Sequence, residues 1–187
     1  MTIDEIKCEL EKKLNPKRYI HSEAVADTAV KLAGIYGADE KKAYLAGILH
    51  DCAKCYTDGE MFCLMDKYGI EPDGICRIST GLLHGFVGAE EARRIYGVDD
   101  DEIYDAIYYH TIGKPKMPLL TKIIYLADGI EPNRIYEGAE QIRSEAVKNI
   151  NKAVVMYTDS TVEYVLKRGL LLHPAAVQTR NYYLLNY

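Results

Sequence analysis

Between its proline and glycine breaks this chain repeats one pattern. Apolar residues return every three or four positions, and no stretch shows the clean two-residue alternation of a half-buried strand. That restricts the expected fold to an all-α one. Thr2-x-x-Glu5 reads as a capping box ahead of a helix with Ile3, Ile6 and Leu10 on one side. Asn15-Pro16 reads as an N-cap followed by proline at the first helical position, opening a helix that runs to about Gly37. Asp39 opens a third, whose centre from Ala43 to Leu49 is apolar on nearly every face and therefore suited to burial. Further helices are expected near 60–68, 81–96, 101–110, 119–130, 140–150, 152–168 and 174–185. No flexible linker, internal repeat or low-complexity tract interrupts residues 1–187, so a single domain is expected.

Composition excludes several classes of function. The longest apolar stretches fall far short of the roughly 20 residues a bilayer requires. The opening Met-Thr-Ile-Asp-Glu-Ile-Lys has no apolar core of a secretory signal, so no membrane partner and a cytoplasmic location are expected. A net charge of −5, from 23 basic against 28 acidic residues, comes without any basic run, which argues against nucleic acid as a partner. Any phosphate-bearing ligand would need a focused site. The five cysteines (Cys8, Cys52, Cys55, Cys63 and Cys76) are odd in number and read as free, reduced thiols. Cys52-Ala-Lys-Cys55 is formally C-x-x-C, but the strand–helix setting of a redox motif is missing, and a thiolate zinc site would need Cys63 and Cys76 to fold back onto it. Tyr104, Tyr108, Tyr109, Tyr182, Tyr183 and Tyr187 read as core or dimer contacts before base-stacking groups, which makes a homodimer one expectation.

The chemistry concentrates in a few positions. His21, His50, His84 and His110 fall on four separate expected helices. His50-Asp51 directly follows the most apolar helix, and Asp128 ends the apolar run Ile123–Ala127. An ionised carboxylate buried without a partner costs several kcal/mol, so such groups pair with a cation or a metal. Taken singly, each residue has a plain explanation: a hydrogen-bonded core histidine, a helix C-terminal turn at Asp128-Gly129, an Asp51–Lys54 pair one turn apart. Taken together they suit a divalent cation, because basic partners for Asp128 are few: Lys122 lies almost two turns back and Arg134 beyond Pro132. The residues alone leave both explanations open.

The order His21, His50-Asp51, Asp128 resembles the H…HD…D signature of the HD superfamily of metal-dependent phosphohydrolases. Longer strings resemble one branch of it, the bacterial YqeK group of symmetrical diadenosine tetraphosphate hydrolases. These are His50-Asp-Cys-Ala-Lys54, Leu83-His-Gly85, Tyr109-His-Thr-Ile-Gly113, Ala127-Asp-Gly-Ile-Glu-Pro-Asn-Arg134, and Leu172-His-Pro174 with Arg180-Asn181. One departure is Ile112, where the group usually has a second threonine. The resemblance implies a single HD-type helical domain, with a core over about 16–132 and C-terminal helices 138–187 completing the nucleotide side. It implies cleavage of a dinucleoside tetraphosphate into two nucleoside diphosphates, here diadenosine tetraphosphate into ADP. One or two divalent ions are implied, iron first, with manganese or cobalt as substitutes.

On that resemblance His21, His50, Asp51 and Asp128 match the metal ligands, and His84 and His110 match ligands of a second metal or donors to phosphate. Asp51 is also a candidate to take a proton from water, and Lys54 to neutralise charge on the transferred phosphoryl group. Arg134 is expected to grip phosphate in bidentate fashion, and His173 and Asn181 to face the nucleotide. Arg18, one turn before His21, is a further substrate-binding candidate weighted toward solvent. The alternatives are another HD phosphohydrolase (a nucleotidase or cyclic-nucleotide phosphodiesterase), a non-catalytic nucleotide sensor, and a dioxygen-using iron protein, in which Lys54 and Arg134 would have no role.

Overall fold

Side chains that satisfy orphan backbone N–H groups set most of the helix starts. In the computed structural model, which describes residues 1–186 and leaves Tyr187 outside, Thr2 and Glu5 close their capping box: the Glu5 N–H donates to Thr2 Oγ1 at 3.3 Å and the Thr2 N–H to Glu5 Oε2 at 2.7 Å. Asn15 caps the next helix through the Arg18 N–H at 3.0 Å, with Pro16 at its first position, and Gly37 ends it in the left-handed region at φ 71°. The described chain is all-α: α1 (Ile3–Lys13), α2 (Pro16–Tyr36), α3 (Glu40–Leu49), α4 (Asp58–Tyr68), α5 (Gly74–Ile78), a 3₁₀ turn (Thr80–Leu82), α6 (Leu83–Arg94), α7 (Asp101–Tyr109), α8 (Leu119–Ile130), α9 (Ala139–Ala146), α10 (Ile150–Lys167) and α11 (Pro174–Leu184). Among the described residues no helix is long and apolar enough to cross a membrane.

Several elements depart from the expected bounds; α9, expected over 140–150, ends at Ala146. The five-residue α5 is too short to show a period and is held by its cap, Asp73, which accepts from Ile75 and Cys76. The helix expected near 81–96 is α6, two residues shorter at each end. Gly81 is spent in the 3₁₀ turn that follows Ser79, whose ψ of 65° is not helical.

The main core gathers α1, α2, α3, α7, α8 and α10. Ile48, Leu49, Ile123, Ile124 and Leu126 are fully buried in it. A second apolar cluster under α4 and α6 includes Met61, Met65, Leu83, Phe86 and Ile112. Small residues bring the helices close enough for their ends to meet. A Cβ on Gly47 of α3 would lie 2.6 Å from Ala26 Cα of α2, and one on Gly85 of α6 would lie 3.1 Å from the Tyr108 carbonyl of α7. The Tyr157 ring of α10 occupies the space a Cβ on Gly129 of α8 would need, at 2.1 Å. With Lys122 Nζ donating to Asn151 Oδ1 at 2.9 Å at the other end, α10 runs alongside α8 in the same direction and continues past its C-terminus.

Candidate metal centre

Helix ends and turns from five helices meet at one place. His21 lies in the second turn of α2, His50 caps α3 with Asp51 directly after it, His84 lies in the first turn of α6, His110 caps α7, and Asp128 lies in the last turn of α8. Three of the imidazoles are tied down in the same way. Nδ1 of His50 donates to the Gly47 carbonyl at 2.7 Å, that of His84 to Gly81 at 2.6 Å, and that of His110 to Ile107 at 2.6 Å. A carbonyl has no proton to give, so Nδ1 carries the hydrogen and the neutral ring keeps its lone pair on Nε2. The fourth, His21, has Nδ1 3.1 Å from Glu131 Oε1 and Nε2 3.0 Å from Asp128 Oδ1.

All four Nε2 atoms therefore converge on the two carboxylates. Asp51 Oδ1 lies 3.0 Å from His84 Nε2 and 3.7 Å from His110 Nε2, while Oδ2 lies 3.5 Å from His50 Nε2 and 3.8 Å from His21 Nε2. Asp128 Oδ1 lies 3.8 Å from His50 Nε2. Burial opposes the ionised form of Asp51, yet the neighbouring His50 holds it well below the usual carboxylate range. Asp128, also disfavoured by burial, is held down by His21 and His50. Burial pulls His84 down to about 4, which keeps that ring neutral at pH 7. His50 goes the other way, since the Asp51 and Asp128 charges outweigh its burial and favour a cation at Nε2.

These facts test whether a metal fits. His50 Nε2 is buried without a hydrogen-bond partner, and the Nε2 atoms of His84 and His110 lie 3.0 Å apart with their Nδ1 hydrogens already committed. Two lone pairs at that separation repel unless a cation or a proton stands between them. The ligand atoms form three overlapping triads, His21–His50–Asp51, His50–His110–Asp128 and Asp51–His84–His110, each with its atoms within 4.8 Å. Imidazole and carboxylate donors without thiolate suit iron, manganese, cobalt or zinc. The residues fit a divalent cation.

Three cationic side chains rim the centre. Arg18 NH1 donates to Asp51 Oδ2 at 2.6 Å, so this arginine is drawn inward rather than left to solvent. Arg134 turns back past Pro132 and donates to Asp128 Oδ1 at 2.6 Å and to the Asp128 carbonyl at 2.8 Å, supplying the partner that sequence distance argued against. Lys54 does not pair with Asp51. Its half-buried ammonium reaches only the Gly81 carbonyl, at 3.4 Å, and burial lowers its pKa.

Among the described residues no hydrogen bond or ion pair joins the remaining candidates to this group. His173 caps α11, accepting from the Ala175 N–H at 3.1 Å, and donates from Nε2 to Asp73 Oδ2 at 2.7 Å, in a separate cluster with Cys76. Asn181 is exposed. The five cysteines are unpaired. Tyr104 stacks on Tyr108, whose ring lies tilted against Tyr109, and Tyr182 packs edge-on against the buried Tyr183. Sequence reasoning missed Glu131, which is buried and fixes the His21 ring from 110 positions away. Its signal is the spacing of one helical turn from Asp128.

Comparison with known proteins agrees with this geometry. The model of the HD domain family matches residues 18–133. The chain is 40% identical to a "Bis(5'-nucleosyl)-tetraphosphatase, symmetrical" of Halalkalibacterium halodurans, over 92% of this chain and 91% of that one. It is 38% identical to the protein of the same description from Bacillus subtilis, over 92% of each chain. A solved structure from Clostridium acetobutylicum, described as a "predicted HD superfamily hydrolase involved in NAD metabolism", superposes with a TM-score of 0.97 at 40% identity, covering 100% of this chain and 99% of that one.

Proposed function

The chain belongs to the HD-domain family, and from that membership we propose that it is a metal-dependent hydrolase that splits diadenosine tetraphosphate symmetrically into two ADP. One observation carries the reading. Four imidazoles turn their Nε2 atoms onto two shared carboxylates, in a chain alike to symmetrical tetraphosphatases over 92% of its length. His21, His50, Asp51 and Asp128 would hold one ion, and Asp51 with His84 and His110 a second, or those two rings would face a phosphate oxygen. We take the metal to be iron, with manganese or cobalt as substitutes on the same donors. When bound, such an ion lowers the pKa of water toward neutrality and withdraws charge from a phosphoryl oxygen.

The chain's own groups divide the rest of the work. Asp51 is the proton acceptor for the attacking water. The half-exposed guanidinium groups of Arg18 and Arg134 have N–H groups left for phosphate oxygens on either side of the centre. Lys54 offsets charge that grows as the central linkage breaks. His173 and Asn181 have no part in this reading, since His173 is spent on a cap and on Asp73. The five free thiols support a reducing, cytoplasmic setting. Exposed Leu166, Leu170 and Leu171 around the α10–α11 connection support a homodimer.

Incubation with diadenosine tetraphosphate is expected to yield ADP as the sole nucleotide product on anion-exchange chromatography. ATP plus AMP, or no turnover with iron, manganese and cobalt in turn, would overturn the reading. Glu131→Ala is expected to weaken metal binding by about 10–100-fold, because the His21 ring loses the carboxylate that orients it. Glu131→Gln, which keeps an acceptor for Nδ1–H, should recover part of that loss in a metal titration.

A further inference from the structure

The buried side of α6 carries an acid that the metal centre does not use. Glu91, in the last turn of that helix, is fully buried. Lys13, the last residue of α1, donates to its Oε2 at 2.8 Å, and the Tyr56 hydroxyl donates to its Oε1 at 2.5 Å. Burial and the bond to Glu91 push the Tyr56 phenol up to about 12, so the hydroxyl keeps its proton at pH 7 and is the donor. The Lys13 ammonium also lies 4.6 Å from the centre of the Tyr56 ring. Apolar residues of the same volume often stabilise a fold as well as a buried ion pair does, so stability alone does not account for a carboxylate here. What the acid adds is direction, since it fixes where the tyrosine hydroxyl must point.

That direction matters because of the segment Tyr56 ends. His84, Gly88 and Glu91 are spaced by four and three residues and share one face of α6. The turn that follows α3 runs along this face with three attachments. Asp51 Oδ1 lies 3.0 Å from His84 Nε2, Cys52 Sγ donates to the Gly88 carbonyl at 3.6 Å, and Tyr56 is held on Glu91. From His84 to Glu91 the helix rises about 10 Å. Between the second and third attachments the turn is closed by short-range bonds alone, from the Lys54 N–H to the Asp51 carbonyl at 2.9 Å and from the Tyr56 N–H to the Ala53 carbonyl at 3.3 Å. Lys54 sits in that span. Its ammonium reaches the Gly81 carbonyl at 3.4 Å, the same oxygen that accepts from His84 Nδ1 at 2.6 Å. With Tyr56 released, hydrogen bonds would tie the turn to α6 on its Asp51–Cys52 side only.

We propose that Tyr56, aimed by the buried carboxylate of Glu91, is a positioning residue for Lys54. It bonds no metal ligand, and it acts by fixing the far end of the turn so that the lysine ammonium stands at a set height along α6 beside Asp51 and His84. The inference rests on the hydrolase reading, which gives Lys54 its task.

The test combines Tyr56→Phe, which removes one oxygen and keeps the ring, with Lys54→Met in a double-mutant cycle on the metal-containing protein. With diadenosine tetraphosphate as substrate, Tyr56→Phe should lower kcat by about fivefold or more, with KM and metal content within about twofold of the parent. In the Lys54→Met background the same change should alter kcat by less than about twofold, because no ammonium is left to place. An equal loss in both backgrounds is what a purely structural role would give, and it overturns the inference. So does an unchanged kcat in Tyr56→Phe, or a loss that comes with lost metal, which would put the effect on Asp51. Lys13→Met joined to Glu91→Leu removes the two buried charges together and leaves neither alone. It should repeat the Tyr56→Phe loss, and parent-like kcat there overturns the role given to Glu91. Amide hydrogen exchange supplies a readout that needs no substrate: the Lys54 and Tyr56 amides should exchange about tenfold or more faster in Tyr56→Phe. Faster exchange in a protein that does not split diadenosine tetraphosphate leaves the clamp standing and ends the hydrolase reading. Splitting that proceeds with exchange and kcat both unchanged in Tyr56→Phe does the reverse.

Discussion

Asp51→Ala is expected to strip the protein of metal and to lower turnover of diadenosine tetraphosphate by more than about 10³-fold, since loss of an outer-shell partner alone typically costs 10–100-fold. The size of the effect follows from where the carboxylate stands. One oxygen faces His84 and His110, the other faces His50, His21 and the Arg18 guanidinium, so a single truncation removes the anion common to two of the three ligand triads. Asp128 would be left to balance four imidazoles and two arginines. Asp51→Asn separates charge from shape: it keeps the volume and an acceptor oxygen, and should lose metal as well. Elemental analysis of the purified variants, alongside kcat, checks both statements. Full activity in Asp51→Ala would remove this residue from the mechanism.

The features that could be read from the sequence are those with local causes. The starts of α1, α2 and α3 are fixed by Thr2, Asn15 and Asp39 bonding to N–H groups two or three residues on, and these are visible as spacing. His50-Asp51 and Asp128 stood out because polar groups at the ends of apolar helices need partners. The partners themselves were not legible. Arg18 meets Asp51 across 33 positions, His21 meets Glu131 across 110, and His173 meets Asp73 across 100. Each depends on the angle at which two helices cross, which is set by contacts such as Gly47 on Ala26 rather than by any repeat.

Lys54→Met should leave metal content unchanged while lowering kcat by about 10²-fold or more, the usual cost of losing one preorganised charge opposite a developing anion. Lys54 is suited to that role because the fold does not satisfy it. Its ammonium is half-buried, its one protein contact is a carbonyl at 3.4 Å, and neither Asp51 nor Asp128 bonds it, because Arg18 and Arg134 take those carboxylates. A lysine whose folded pKa lies below its unfolded value makes the charged form a cost to folding. That cost is fully present below the folded pKa and disappears as pH rises through the unfolded value near 10.4. The substitution should therefore raise Tm at pH 7, and the gap from the parent should narrow as the pH approaches 10. A gain in stability joined to a loss of turnover would identify a charge held in place for the substrate. A variant that lost both would instead show Lys54 to be part of the scaffold.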